Sequence, residues 1–289
     1  MTEMIKPFVT AEIGCNHKGD LDLAKEMIKI AALYCDVDAV KFQKRTPKEL
    51  LTKEEYNAPH PNPVNSYGKT YGEHREYLEL TLEQHKELVE TCKQWDVEYS
   101  TSVWDLTSAK EITSLNPTSI KVPSACNLHF EMLEYLADHY RGEIQLSFGM
   151  TSQEEEEKII DFFKKKKRNK DLVIYSCVSG YPVPFEDLSL LDITRIKNKF
   201  EKDVKGIGFS GHHLGIAPDV AALTLGAKYV ERHYTLDRTW KGTDHSASLE
   251  PHDLRQLVVD LRNVASALTF KEQEILEIEK VQRKKLKRG

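Results

Sequence analysis

Charged and hydroxyl side chains close one short apolar run after another along this chain: Glu12 in VTAEIG, Lys41 and Gln43 in AVKFQK, Ser102 in EYSTS, Lys121 and Ser124 in SIKVPS, Ser147 in IQLSFG, Ser210 and His212 in GIGFSGH, and Glu231 and His233 in YVERHYT. Brought to one place, Lys41 and Lys121 with Ser102, Ser124, Ser147 and Ser210 would bind a phosphate or carboxylate through charge-assisted hydrogen bonds. His212 and His233, at the ends of consecutive runs, would reach one divalent ion, with Glu12 as a carboxylate ligand or an acid/base. Neutral imidazoles mixed with oxygen ligands and water suit Mn²⁺, Fe²⁺, Co²⁺ or Zn²⁺. Each residue taken singly has an ordinary reading. A serine at a strand end is a turn former, and a lysine there snorkels to the surface, as expected of Lys44. Repetition in six or more runs, at one end and with one parity, is what carries the functional reading.

These side chains need a frame that gathers strand ends. Strand-like runs fall near 7–13, 39–43, 98–102, 119–123, 144–148, 172–177, 206–210 and 229–234, with helical stretches between most of them. The clearest helices are 21–34, 82–95, 152–167 and 251–268, where apolar residues recur at three and four. Strands alternating with single helices predict a parallel sheet, and eight cycles predict closure into a (β/α)8 TIM barrel, an α/β fold whose active site lies at the C-terminal strand ends. Successive side chains on a strand point to opposite faces. Val40 and Phe42 therefore oppose Lys41 and Gln43; Ile144, Leu146 and Phe148 oppose Gln145 and Ser147; Ile207 and Phe209 oppose Gly208, Ser210 and His212; Val230 and Tyr234 oppose Glu231 and His233. With the apolar set against the helices, the polar set points into the barrel. A lysine there is costly unless an anion or a carboxylate compensates it.

The expected organisation is one domain, a barrel over 1–270, followed by a helical basic tail over 271–289. The segment 46–80, rich in Pro, Asn, Tyr and His, interrupts the rhythm and reads as a lid or substrate loop. Two further loops sit at the expected active face. Asp244, in KGTDHSAS, is placed to hold sugar hydroxyls, and Tyr181, in SGYPVPFE, offers a ring and a hydroxyl to a polyol. A formal charge of −5 and a pI near 6.2 argue against nucleic acid or membrane as the main partner. The N-terminus has no signal-like apolar core and no stretch approaches spanning length, so a cytoplasmic protein is expected. Five cysteines with no CxxC pair fit free, packed thiols. A zinc hydrolase barrel of the amidohydrolase type would want His-x-His at the end of strand one, where this chain has Glu12-Ile-Gly-Cys-Asn-His17.

The segments AEIGCNHKGDLDLAKEMI, VKFQK, YSTSVWD, IKVPSA, LSFGM, YPVPFE, GFSGHHLG, ERHYTLD and KGTDHSAS run in order from about Phe8 to about Pro251. Together they resemble the catalytic barrel of the N-acetylneuraminate (sialic acid) synthase family, which also makes legionaminic and pseudaminic acids. The resemblance implies an enzyme that condenses phosphoenolpyruvate with the open-chain aldehyde of an N-acetylmannosamine-like sugar. The products would be phosphate and a 2-keto-3-deoxy sugar acid. It also implies a divalent metal, typically Mn²⁺, on His212 and His233. Lys41, Ser102, Lys121, Ser124, Ser147 and Ser210 would form the phosphoenolpyruvate site, and Glu12, Gln43, Tyr181 and Asp244 would meet the sugar or the reacting centre. Glu12, Lys41, Lys121 and Asp244 would carry the catalysis, and no cysteine is given a role.

Three departures from the family pattern stand out. Ser210-Gly211-His212 replaces the usual Ser-Asp-His, removing a carboxylate from beside the metal ligand and making His213 a second candidate ligand. Ser179 stands where a relative often has Asn. Relatives continue into a small antifreeze-like domain that reaches the partner subunit's active site, whereas this chain ends at KKLKRG, where that linker would begin. The expectation is the catalytic barrel alone, a homodimer through barrel surfaces, and an antifreeze-like domain, if used, supplied as a separate protein. Two alternatives stay open: a related 3-deoxy-ulosonate synthase with another aldose, and a sugar- or phosphoenolpyruvate-binding barrel without catalysis. GTDHSAS and YPVPFE speak against the former.

Overall fold

Eight strands close into one parallel barrel: β1 (Phe8–Gly14), β2 (Ala39–Lys44), β3 (Glu98–Val103), β4 (Ser119–Val122), β5 (Glu143–Ser147), β6 (Leu172–Cys177), β7 (Gly206–Gly211) and β8 (Tyr229–His233). This architecture is that of a computed structural model describing residues 6–288; residues 1–5 and 289, the outer ends of the two expected spans, lie outside the described residues. Closure is made by β8 pairing back on β1, from Phe8 opposite Tyr229 to Glu12 opposite His233. Each strand lies within a residue of its predicted run at either end, because alternation and flanking turn residues are local signals.

Several of the helices between the strands start where side-chain caps are written into the sequence. Asp20 Oδ1 accepts from the Asp22 and Leu23 N–H groups at 2.9 and 3.0 Å and opens the helix Leu21–Ile30. Thr81 with Gln84 and Ser152 with Glu155 form capping boxes on Leu82–Gln94 and Gln153–Lys165. Each such cap contributes about 1 kcal/mol. The predicted helix over 21–34 ends early as regular α-helix, and Ala31–Cys35 continues as a π-helical turn.

The core is a ring between barrel and helices. Over one arc, Ile144, Leu146, Ile174 and Phe209 of the strands pack on Leu133, Ile159, Phe163 and Ile196 of the helices. Over the other arc, Val9, Val40, Phe42 and Val230 meet Met27, Leu88, Leu254 and Leu261. The barrel interior is polar instead of the usual stack of branched apolar side chains. Below the strand ends, Ser119 Oγ donates to Ser100 Oγ at 2.9 Å and the Tyr175 hydroxyl donates to Gln145 Oε1 at 2.9 Å. Lys44 belongs to the outer layer. It shares parity with Phe42, is buried, and pairs with Glu111 at 3.2 Å, so the expected snorkelling lysine is an ion-paired one.

The segment 46–80 is a folded cap over the barrel mouth. It holds the short helices Pro47–Leu50, Lys53–Asn57 and Tyr71–Tyr77. Among the described residues, no helix is long and apolar enough to cross a membrane.

Candidate active site

Twelve candidate side chains line one cavity of about 400 Å³ at the C-terminal end of the barrel: Glu12, Lys41, Gln43, Ser102, Lys121, Ser124, Ser147, Tyr181, Ser210, His212, His233 and Asp244. Strand register explains the convergence, since Glu12 lies opposite Lys41 and His233, Gln43 opposite Ser102, and Ser102 opposite Lys121. Gly14, at φ +55°, ends β1 beside this row. A Cβ there would lie 3.1 Å from both Gln43 Nε2 and Glu12 Oε1, the two atoms that form a hydrogen bond under it.

The floor of the cavity is a balanced set of two lysines and two carboxylates. Lys41 Nζ is ion-paired to Glu12, donates to Ser102 Oγ at 2.8 Å, and lies 3.6 Å from Glu231 Oε1. Lys121 Nζ reaches Glu231 Oε2 at 3.1 Å and sits 3.3 Å from the centre of the Tyr175 ring. Ser210 Oγ also donates to Glu231, at 3.2 Å. Burial opposes the charge on Glu231, but Lys121 and Lys41 outweigh it and hold the carboxyl at about 2. Burial likewise opposes the charge on Lys41, and Glu12 and Glu231 reverse that and raise it above the usual lysine range. Lys121 goes the other way: burial lowers it, Glu231 supports its proton, and Lys41 repels it. Glu12 is raised by burial and by Glu231, with Lys41 opposing. Burial thus favours the neutral form of both Glu12 and Lys121.

Opposite the lysines, hydroxyls crowd a glycine. The Gly149 N–H donates to Ser124 Oγ at 3.0 Å, and a Cβ at Gly149 would lie 2.5 Å from both Ser124 Oγ and Ser179 Oγ. Ser179 thus adds a hydroxyl beside Ser124. Burial also raises the Cys177 thiol on the same wall, and all five cysteines are free.

His212 and His233 face each other with ring centres 5.4 Å apart, and the Tyr181 ring lies 4.3 Å from that of His212. His212 Nδ1 is 3.1 Å from the Val178 carbonyl, which makes Nδ1 the protonated nitrogen and leaves the Nε2 lone pair available. Burial, then the neighbouring His233, hold His212 neutral by lowering it to about 3. Nδ1 of His233 is buried with no protein partner. Two imidazoles placed in this way fit a divalent ion with open positions. Among the described residues no third His, Cys, Asp or Glu completes a ligand set, and Glu12 is turned to Lys41 and Gln43 instead. Water and substrate oxygens would supply the rest.

His213 is not a second ligand. It is fully buried in the outer layer, with Nε2 3.1 Å from Asp219 Oδ2 and 3.0 Å from Arg232 Nη1. Position 211 shares parity with Phe209, so a carboxylate there would point away from the cavity. A Cβ on Gly211 would meet His213 Cε1 and Phe209 Cε1, each at 2.8 Å. The missing aspartate removes nothing from the cavity wall, because the His213 ring holds its place.

Asp244 sits at the mouth and accepts from the Thr243 hydroxyl at 3.0 Å. Burial raises its carboxyl, but His233, Thr243, Arg45 and Arg75 prevail and hold it below the usual range. The residues that reading by sequence missed are Glu231, as the partner of both lysines, and Arg45, His60, His74 and Arg75 of the cap side. Glu231 shares its parity with His233, which was a usable signal. The cap residues lie off the strands, and no periodicity points to them.

The NeuB family model matches residues 27–273. The chain is 39% identical to human N-acetylneuraminate-9-phosphate synthase over 279 residues, covering 96% of this chain and 76% of that protein. It is 32% identical to N,N'-diacetyllegionaminic acid synthase of Campylobacter jejuni over 266 residues, covering 92% and 78%. The crystal structure of N-acetylneuraminic acid synthetase from Leptospira borgpetersenii superposes with a TM-score of 0.81 at 28% identity, over 98% of this chain and 93% of that one. A DAHP synthase from Thermotoga maritima matches at a TM-score of 0.66 and 15% identity, a likeness of fold alone.

Proposed function

The chain belongs to the NeuB family of synthases, and on that premise we propose that it condenses phosphoenolpyruvate with the open-chain aldehyde of a hexosamine-type sugar. C3 of phosphoenolpyruvate bonds to the aldehyde carbon, water adds at C2, and phosphate leaves, giving a nonulosonic acid of the sialic type. The observation that carries this reading is the pair of buried lysines, Lys41 and Lys121, in one cavity with His212 and His233.

Lys121 and Lys41, with the hydroxyls of Ser102, Ser124, Ser147 and Ser210, would hold the carboxylate and phosphate of phosphoenolpyruvate and orient C3, an electrostatic and entropic contribution. His212 and His233 would hold a divalent ion, Mn²⁺ being the expected one. When bound, it supplies Lewis acidity at the aldehyde oxygen. Glu12, raised by burial, is the group to move a proton at that oxygen, and Gln43 orients Glu12 at 3.1 Å. Asp244 and Tyr181 would hold the sugar at the mouth. No covalent nucleophile is needed, which leaves the cysteines without a role.

The test is phosphate release from phosphoenolpyruvate with Mn²⁺ across a panel of aldoses, with and without a chelator. Sugar-dependent release that the chelator abolishes is expected. Asp244→Ala should keep phosphoenolpyruvate binding and lose turnover by roughly 100-fold, as misplacement of one substrate does. Absence of release with every aldose, although phosphoenolpyruvate and metal bind, would leave a binding barrel and remove the synthase reading.

A further inference from the structure

Lys121 carries a buried charge that it supports with only a share of one carboxylate. Its Nζ lies 3.1 Å from Glu231 Oε2, while Lys41 Nζ lies 3.6 Å from Oε1 of the same residue. Lys41 has Glu12 as a second anion. For Lys121, burial and the repulsion of Lys41 both work against the proton. Its second support is a ring. Lys121 Nζ sits 3.3 Å from the centre of Tyr175, closer than any other cation and ring among the described residues, and both residues are fully buried. A nitrogen that near the ring centre stands over the face.

Several neighbours fix that face in place. On β6, Tyr175 shares parity with Cys177, which lines the cavity, so the ring enters the barrel one layer below it. Across the pairing to β7 it meets Gly208, where a Cβ would lie 2.6 Å from both Cδ1 and Cε1 of the ring. Only a strand residue without a side chain leaves the ring its room. The hydroxyl is tied down by polar contacts that lead away from the site. It donates to Gln145 Oε1 at 2.9 Å, Gln145 Nε2 donates to Glu143 Oε1 at 2.7 Å, and Glu143 pairs with Lys205 at 2.7 Å at the N-terminal end of the barrel. The Tyr229 ring stands against it, with centres 6.4 Å apart and planes at 65°.

We propose that Tyr175 is a positioning residue for phosphoenolpyruvate: its ring face keeps the Lys121 ammonium charged and in place below the anion site without bringing a negative charge there. The inference rests on the synthase reading for the identity of the anion. A further carboxylate in the same place would hold the ammonium equally well, but it would repel the carboxylate and phosphate that the lysine is there to receive. A ring quadrupole attracts a cation while carrying no net charge, and desolvation strengthens the attraction. Tyr175 does not line the cavity, so it acts through Lys121.

The experiment measures the Kd for phosphoenolpyruvate by titration calorimetry, with Mn²⁺ and without sugar, in the wild-type protein, Tyr175→Leu, Tyr175→Phe, and proteins carrying mono-, di- and trifluorinated phenylalanine at position 175. Fluorination empties the ring face of negative charge while nearly keeping its shape. Tyr175→Phe should bind within about threefold of wild type, because it keeps the face and loses one hydrogen bond. Along the fluorinated series the Kd should rise stepwise, by roughly 10-fold in total, the scale of a desolvated cation over a ring. Tyr175→Leu should bind at least as weakly as the trifluorinated protein, and if it fails to fold the near-isosteric series still decides. The Kd for Mn²⁺ and the KM for the aldose should stay constant across the series. A flat series overturns the proposal, and so does a rise in which Mn²⁺ and aldose follow phosphoenolpyruvate, since that is a general distortion of the barrel. Either result with sugar-dependent turnover intact leaves the synthase reading standing. Phosphoenolpyruvate binding without turnover on any aldose sinks the synthase reading alone, and no binding by the wild type sinks both.

Discussion

Glu231 compensates two buried lysines that come from different strands, and that single carboxylate sets the charge state of the cavity floor. Removing one partner of such a buried set leaves its counter-charge exposed to a low dielectric, which costs about 3–5 kcal/mol. Lys121→Met should fall near the lower end of that range, since Lys41 remains 3.6 Å from Glu231. Urea unfolding checks this, and Lys121→Met with Glu231→Gln should recover part of the loss. The same Lys121→Met protein should bind phosphoenolpyruvate roughly 30-fold more weakly or worse, on the scale of a lost charge pair. Normal binding would take Lys121 out of the anion site. At this scale the sequence was largely legible. Lys41, Lys121, Ser102, Ser147, Ser210 and both histidines were readable from where they stand on or just after their strands, because parity is a property of neighbouring residues, whereas Ser124 lies in the turn after β4. That Glu231 serves both lysines was not readable, because the ion pairs cross the barrel between strands that are not neighbours.

The turn after β7 shows what one element decides. Ser210 and His212 enter the cavity while Gly211 and His213 face the helices, and Arg232 ties the turn to β8 by donating to the carbonyls of His213 and Gly215 at 2.6 and 2.8 Å. Arg232 and Asp219 are both fully buried partners in this anchor. Gly211 is therefore a packing requirement of His213. Gly211→Ala should cost about 1–3 kcal/mol by overpacking, and the double variant with His213→Ala should lose less than the sum of the two singles, because the sites share one space. A Gly211→Ala protein with an unchanged melting temperature would refute the coupling. The cap is the opposite case: composition marked 46–80 as functional, but its short helices carry no period long enough to say which side chains turn inward.

Acid should destabilise the whole molecule earlier than its carboxylates alone would. His17 and His85 are buried and neutral, His17 lowered from 6.5 to about 4 by burial and then Arg45, and His85 from 6.5 to about 3 by burial and then Lys44. Their folded-state values lie below the unfolded one, so the unfolded chain binds the extra protons. Stability is then intact above about pH 6.5 and declines as pH falls toward 4 and 3, by up to ~1.4 kcal/mol per pH unit for each imidazole. Urea midpoints between about pH 7 and 5 should show the decline, and His85→Gln should make it shallower. A flat profile would mean that neither ring is buried neutral. Local alternation and helix caps, written in neighbouring residues, determined by themselves that this chain makes eight strand-and-helix cycles with its polar row at one end. Only the tertiary structure decided which of those groups neutralise one another, that His213 leaves the site, and that a cap from the β2–β3 connection brings Arg45 and Arg75 to the mouth. Those outcomes depend on barrel closure and on a one-residue change of face, and both are set by contacts between residues far apart in the chain.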